Sequence, residues 1–256
     1  MTHTEDKKSM LSQGIFIFVY LAVLTGLEFF LAIKLQVAVP LLVVVALVKA
    51  VLVVYYYMHI YMLNAEHEGD HESYEYKSGT NRLGLWLFLV SDSFVFAGLL
   101  VMRINLLGLT RPNLNQILGL VVTAVLLISS FFMNRGETMI KNGDRKGFLN
   151  NTLITFLMGL SFLIGVVFVE WRLAGHEGLT PSSGAAGAAF YMMTGMHAFH
   201  VLTGLIFLAI VWINGRRGLY DEKHYPVEAA AVYWHFVDVV WIFFYPALYL
   251  IGAIIV

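Results

Sequence analysis

The sequence of 256 residues contains no cysteine. That excludes disulfide frameworks, Cys-ligated zinc, iron–sulfur clusters, covalently attached c-type haem and thiolate copper, since each takes a sulfur ligand from the chain. Charge is scarce too. Asp, Glu, Lys and Arg make up 13% of the residues, against roughly 25% in a soluble domain. The net charge of −1 offers no basic surface to attract nucleic acid. What the chain has in excess is apolar: 59% hydrophobic residues and a mean hydropathy of +0.75. These proportions argue against a water-soluble enzyme and for an all-α, polytopic transmembrane helical bundle.

A helix needs roughly 20 mostly apolar residues to cross the ~30 Å hydrocarbon layer. About seven segments meet that test: 15–36, 38–63, 83–106, 113–134, 150–172, 187–213 and 230–254. Their apolar runs are continuous and lack the period-2 alternation of a barrel strand. Turn formers stand between them, among them Pro40, Arg111-Pro112-Asn113, Asn142-Gly143-Asp144 and Asn214-Gly215. The one break in composition, 64–82, is acidic and contains Asn64-Ala-Glu-His-Glu-Gly-Asp-His-Glu-Ser-Tyr-Glu. It divides the chain into a two-helix unit (1–66), a solvated linker (67–82) and a five-helix core (83–256). The Glu68-x-x-His71 spacing inside it could recruit a metal, but no facing partner is evident, and linker is the preferred reading.

Lys and Arg set the expected orientation. With the N-terminus cytoplasmic, the inner segments hold Lys7, Lys8, Lys77, Arg82, Arg135, Lys141, Arg145, Lys146, Arg216, Arg217 and Lys223. The outer ones hold only Lys34, Arg103, Arg111 and Arg172. An odd number of crossings then puts Val256 outside. The first apolar run has no basic n-region and no small-residue cleavage site, so it reads as a retained helix in a bacterial-type inner membrane.

Ionisable groups within a span are costly and demand a reason. Glu28 and Lys49 fall at ~20 and ~21 Å above the inner ends of consecutive antiparallel helices, which predicts an intramembrane ion pair. A proton relay is the alternative, but these two helices carry no further titratable group at mid-depth. Asp92 lies ~14 Å into the third span and must face protein, another subunit or a polar cavity. In the sixth span His197 and His200 share a face. In the seventh, Trp234, Asp238 and Trp241 lie on one side, with His235 beside them on a strip with Glu228. Three roles stand open for these groups: helix-to-helix polar contact, lining of a lipid or gas path, or metal ligation. The strongest metal version is a bis-His haem b on His200 and His235, whose depths match poorly.

From about residue 80 onward, several strings resemble subunit III of the haem–copper oxidases. They are Gly84-Leu-Trp-Leu-Phe-Leu-Val-Ser-Asp-Ser-Phe-Val-Phe-Ala-Gly98, Ser129-Ser-Phe, Glu170-Trp171, Thr194-Gly-Met-His-Ala-Phe-His-Val201 and Tyr233-Trp-His-Phe-Val-Asp-Val-Val-Trp241. Residues 10–65 resemble the smaller bacterial oxidase subunit IV, in Leu24-Thr-Gly-Leu-Glu28, Leu47-Val-Lys-Ala50 and Met58-His59. The combined resemblance implies a fused chain that does no redox chemistry itself, with haem and copper in partner subunits I and II. It implies bound phospholipid in a cleft behind the leading helix pair, support of proton and oxygen supply, and membership of a respiratory complex or larger supercomplex. Asp92 falls where the family has a buried carboxylate, usually Glu. Trp86, Glu170, His197, His200, Glu228, Trp234, His235, Asp238 and Trp241 fall at helix contacts or along the lipid cleft. A quinol oxidase or a nitric oxide reductase relative would carry the same motifs.

Overall fold

The computed structural model describes residues 2–34, 39–60 and 73–254. Seven helices in it are long and apolar enough to cross a membrane. In chain order they are α1 (Thr2–Lys34), α2 (Val39–Tyr57), α3 (Tyr74–Leu107), α4 (Gln116–Lys141), α5 (Arg145–His176), α6 (Ala185–Arg216) and α7 (Tyr225–Leu250). The Glu68-x-x-His71 segment lies outside the described residues.

The largest departure from the sequence expectation is at α3. Its helix begins at Tyr74, so residues 74–82 are helical rather than linker. The Ser73 hydroxyl accepts from the Tyr76 N–H at 3.2 Å, and Glu75 stands in the first turn. A good N-cap with an acid behind it starts a helix whatever the hydropathy of the next turn. Side-chain caps also open two other helices. Asn115 accepts from the Leu118 N–H at 3.0 Å to open α4, and Asp144 accepts from the Gly147 N–H at 2.9 Å to open α5. Three spans widen to i→i+5 turns, at Val53–Tyr57, Gly165–Glu170 and Pro246–Leu250.

Helix α7 is the axis of the bundle. Of its most apolar stretch 83% is buried, against 22–39% in the other spans, so the others ring it and give their outer faces to lipid or partners. Burial from water cannot drive this packing inside a membrane; close approach and interhelical hydrogen bonds must. Both are present. Trp234 slots between Gly159 of α5 and Gly204 of α6, where an added Cβ would stand 2.3 and 2.9 Å from the indole. Only glycine leaves room for that ring.

The end of α7 is tied to the start of α4 by an element the hydropathy pattern did not predict. Thr110–Arg111 (β1) pairs in parallel with Ala253–Ile254 (β2). Arg103, only 2% exposed, binds this corner through the carbonyls of Gly108 (2.7 Å), Thr110 (2.9 Å) and Ile251 (2.9 Å). Gly252 makes the turn at φ +104°, where a Cβ would lie 2.5 Å from the Leu109 carbonyl oxygen.

Candidate functional site

The mid-depth polar groups sort into five local arrangements, each joining different helices. First, Lys49 Nζ of α2 donates to Glu28 Oε2 of α1. Both side chains are sealed off, at 1% and 0% exposure.

Second, Asp92 of α3 meets His200 of α6. His200 Nε2 stands 3.1 Å from Asp92 Oδ2, a close contact outside hydrogen-bonding geometry. The His200 Nδ1 lies 2.8 Å from the Met196 carbonyl, which can only accept, so Nδ1 carries a hydrogen. Phe96 closes over the imidazole edge-on with centroids 4.7 Å apart.

Third, α7 binds α4 through a ladder of hydroxyls. Trp234 Nε1 donates to Ser129 Oγ at 3.1 Å, and Trp241 Nε1 donates to Thr123 Oγ1 at 2.9 Å. Between them Ser130 Oγ donates to Asp238 Oδ2 and lies 2.7 Å from His235 Nδ1. Because the single Ser130 proton goes to the carboxylate, the imidazole must donate to Ser130. The order His235–Ser130–Asp238 therefore places the serine in the middle with its proton engaged. It is not the nucleophile–base–acid order of a hydrolase, in which the histidine is central.

Fourth, Glu170 of α5 accepts from the Tyr249 hydroxyl of α7, and the neighbouring Trp171 Nε1 donates to Thr194 Oγ1 of α6 at 3.1 Å. Fifth, Glu228 of α7 takes a bidentate hydrogen bond from Arg82 of α3, at 2.6 and 3.0 Å. Trp86 packs one turn further along α3, in the same apolar cluster as Trp234 and Trp241.

His197 stands apart. It is fully buried, neither ring nitrogen has a hydrogen-bond partner among the described residues, and it sits against Trp241 (centroids 4.8 Å, tilted 33°) and edge-on to Phe162. It acts as an aromatic plate. His200 and His235 are not brought together: one turns to α3, the other to α4 with Tyr57 of α2 beside it.

Several working residues escaped the sequence reading. Ser130 lay inside a quoted motif but drew no role, because a mid-helix serine usually bonds back to its own turn, as Ser129 does to Leu126. Arg82 and Arg103 read in the sequence as loop charge. Tyr249 and Tyr57 are indistinguishable in sequence from interfacial aromatics. For Arg82 a signal existed: a basic residue one turn before an intramembrane Trp, with an unmatched Glu228 on the same side of the membrane.

This is a polytopic membrane subunit in which Glu28, Asp92, Glu170, Glu228 and Asp238 each meet a side chain of another helix. Its relatives specify which. A family model described as cytochrome c oxidase subunit III matches residues 8–253, and the chain belongs to that family. It begins early enough to take in the leading helix pair, whose likeness to subunit IV it does not show. A Synechocystis cytochrome c oxidase subunit 3 is 37% identical over 66% of this chain and 74% of its own length. A Bacillus subtilis quinol oxidase subunit 3 is 34% identical over 75% of this chain and 98% of its own. A Thermostichus vulcanus cytochrome c oxidase subunit 3 is 37% identical over 66% and 86%. The chain is thus subunit III of a haem–copper oxidase, an integral membrane protein that works in a complex with other oxidase subunits.

Proposed function

We propose that this subunit does no electron transfer or bond chemistry and instead braces the oxidase, holds phospholipid, and supports proton and oxygen supply to the catalytic subunit I. Haem and copper would reside in subunits I and II. The observation that carries this reading is the disposition of the polar groups: Glu28, Asp92, Glu170, Glu228 and Asp238 each contact a side chain on another helix, at separate places in the bundle. Carboxylates at work on a substrate would converge on one accessible cavity. Cytochrome c is the favoured donor, and its docking site would lie on other chains. The subunit IV-like origin of residues 1–66 remains part of the same proposal, as does a cytoplasmic N-terminus.

For phospholipid, the supporting feature is a groove of about 810 Å³ at the outer end, between the leading pair and the core, lined by Ala32, Ile33, Pro40, Leu109 and Arg111. Arg111 donates Nε–H to the Gly252 carbonyl at 3.1 Å and leaves Nη1 unpartnered. Burial pulls its guanidinium below the ordinary value, and an anionic headgroup alongside would offset that cost. The apolar side chains of Ile33, Leu109 and Leu250 beside the Arg111 cation suit an acyl chain ending in a phosphate.

Deletion tests the reading. Oxidase purified without this chain should keep its haem spectrum yet lose activity during sustained turnover; loss of the haem bands would defeat the proposal. The competing bis-His haem reading predicts a Soret band from the isolated chain, and the present one predicts none.

A further inference from the structure

Between α1, α2, α4 and α7, at the depth of the Glu28–Lys49 pair, lies a cavity of about 20 Å³. A water molecule needs roughly 10–15 Å³ and two to four polar partners. The volume admits one water. The lining decides whether a water would stay.

Four of the polar side chains on its wall are already partnered. Thr25 donates to the Leu21 carbonyl at 2.9 Å, and Thr123 donates to Gly119 at 2.7 Å while accepting from Trp241. Ser130 is engaged with His235 and Asp238, and Lys49 with Glu28. Lys49, however, has three donors, of which one meets Glu28. Among the described residues two further atoms have no partner: Asp238 Oδ1 and the Tyr245 hydroxyl, on side chains 5% and 0% exposed. Asp238 and Tyr245 are two turns apart on one face of α7, and helical side chains lean toward the N-terminus, which carries the hydroxyl back toward the carboxyl.

Charge balance fixes who donates. Glu28 and Lys49 cancel. Around Asp238, α4 presents only hydroxyls, α2 adds Lys49 and Tyr57, whose hydroxyl donates to the Gly14 carbonyl at 3.1 Å, and His59 beyond α2 faces His235. His235 already donates from Nδ1, and its Nε2 has no partner, so a second proton there would be a buried, unmet donor. An ionised Asp238 would then have beside it no cation except Lys49, which Glu28 already neutralises, and its desolvation is costly. A proton on Oδ1 removes that charge and makes Asp238, which lines the cavity, a donor.

We propose that this cavity binds one water, held by Asp238, Tyr245 and Lys49, and that Asp238 is a neutral acid donating to it. The water joins the α1–α2 ion pair to the His235–Ser130–Asp238 chain, fastening the leading helix pair to the core. The inference concerns packing within one chain and is independent of which oxidase the subunit serves.

A water-resolving density map of the purified oxidase complex tests it. A peak within hydrogen-bond distance of Asp238 Oδ1 and either Tyr245 or Lys49 is expected, and an empty or differently packed cavity overturns the proposal. Asp238→Asn presents an N–H where the acid has its O–H, and should keep the peak and assembly; loss of the peak in that variant would overturn the neutral acid. Tyr245→Phe removes one partner without charge change and should weaken or abolish the peak. An undiminished peak would show that Tyr245 does not hold the water.

Discussion

Replacing Lys49 by Met removes the one charged partner that Glu28 has among the described residues and leaves the carboxylate in a place without solvent. Glu28 is 0% exposed, and its second oxygen, Oε1, has no partner even in the intact protein. Breaking a buried pair from one side costs about 3–5 kcal/mol, whereas replacing both members by apolar groups of similar volume is close to neutral. For a chain of this size each kcal/mol moves the melting midpoint by roughly 2–4 °C, so Lys49→Met should lower it by ~6–20 °C. The double variant Glu28→Leu/Lys49→Met should recover most of that loss. The assay is heat-induced release of this subunit from the purified complex, followed by gel for wild type, both singles and the double. The reasoning fails if the Lys49 single is no less stable than the double, because the deficit would then come from lost packing rather than a stranded charge.

Three further outcomes follow from particular contacts. Gly159→Ala pushes a methyl to 2.3 Å from the Trp234 ring and should cost about 1–3 kcal/mol in the same melt, with partial recovery when combined with Trp234→Phe. Arg103→Met strands the carbonyls of Gly108, Thr110 and Ile251 and should expose the segment after Leu250 to limited proteolysis, with Arg103→Lys intermediate; unchanged cleavage would mean the β1–β2 corner holds without it. Asp92→Ala should reduce turnover durability more than Asp92→Asn, since the amide can still meet His200. Equal tolerance of both changes would mean that His200 is no functional partner.

The sequence by itself determined the medium, the number of crossings and the matching depth of Glu28 and Lys49. Hydropathy runs and a 1.5 Å rise per residue suffice for those, because the bilayer imposes one length scale on every helix. Glu28 and Lys49 could be matched by arithmetic since they lie on consecutive antiparallel helices, whose relative depth is set by the short connection between them. Asp92 and His200 could each be flagged as needing a partner, yet not as each other's, because α3 and α6 are distant in sequence and depth alone leaves rotation about the helix axis free. Tertiary packing decided that rotation. It inserted Ser130 between His235 and Asp238, turned Arg82 onto Glu228, closed the β1–β2 corner around Arg103, and brought Asp238 and Tyr245 to the wall of the Lys49 cavity. Those choices depend on which glycines admit Trp234 and on which hydroxyls of α4 face α7, information shared among helices and carried by none of them singly.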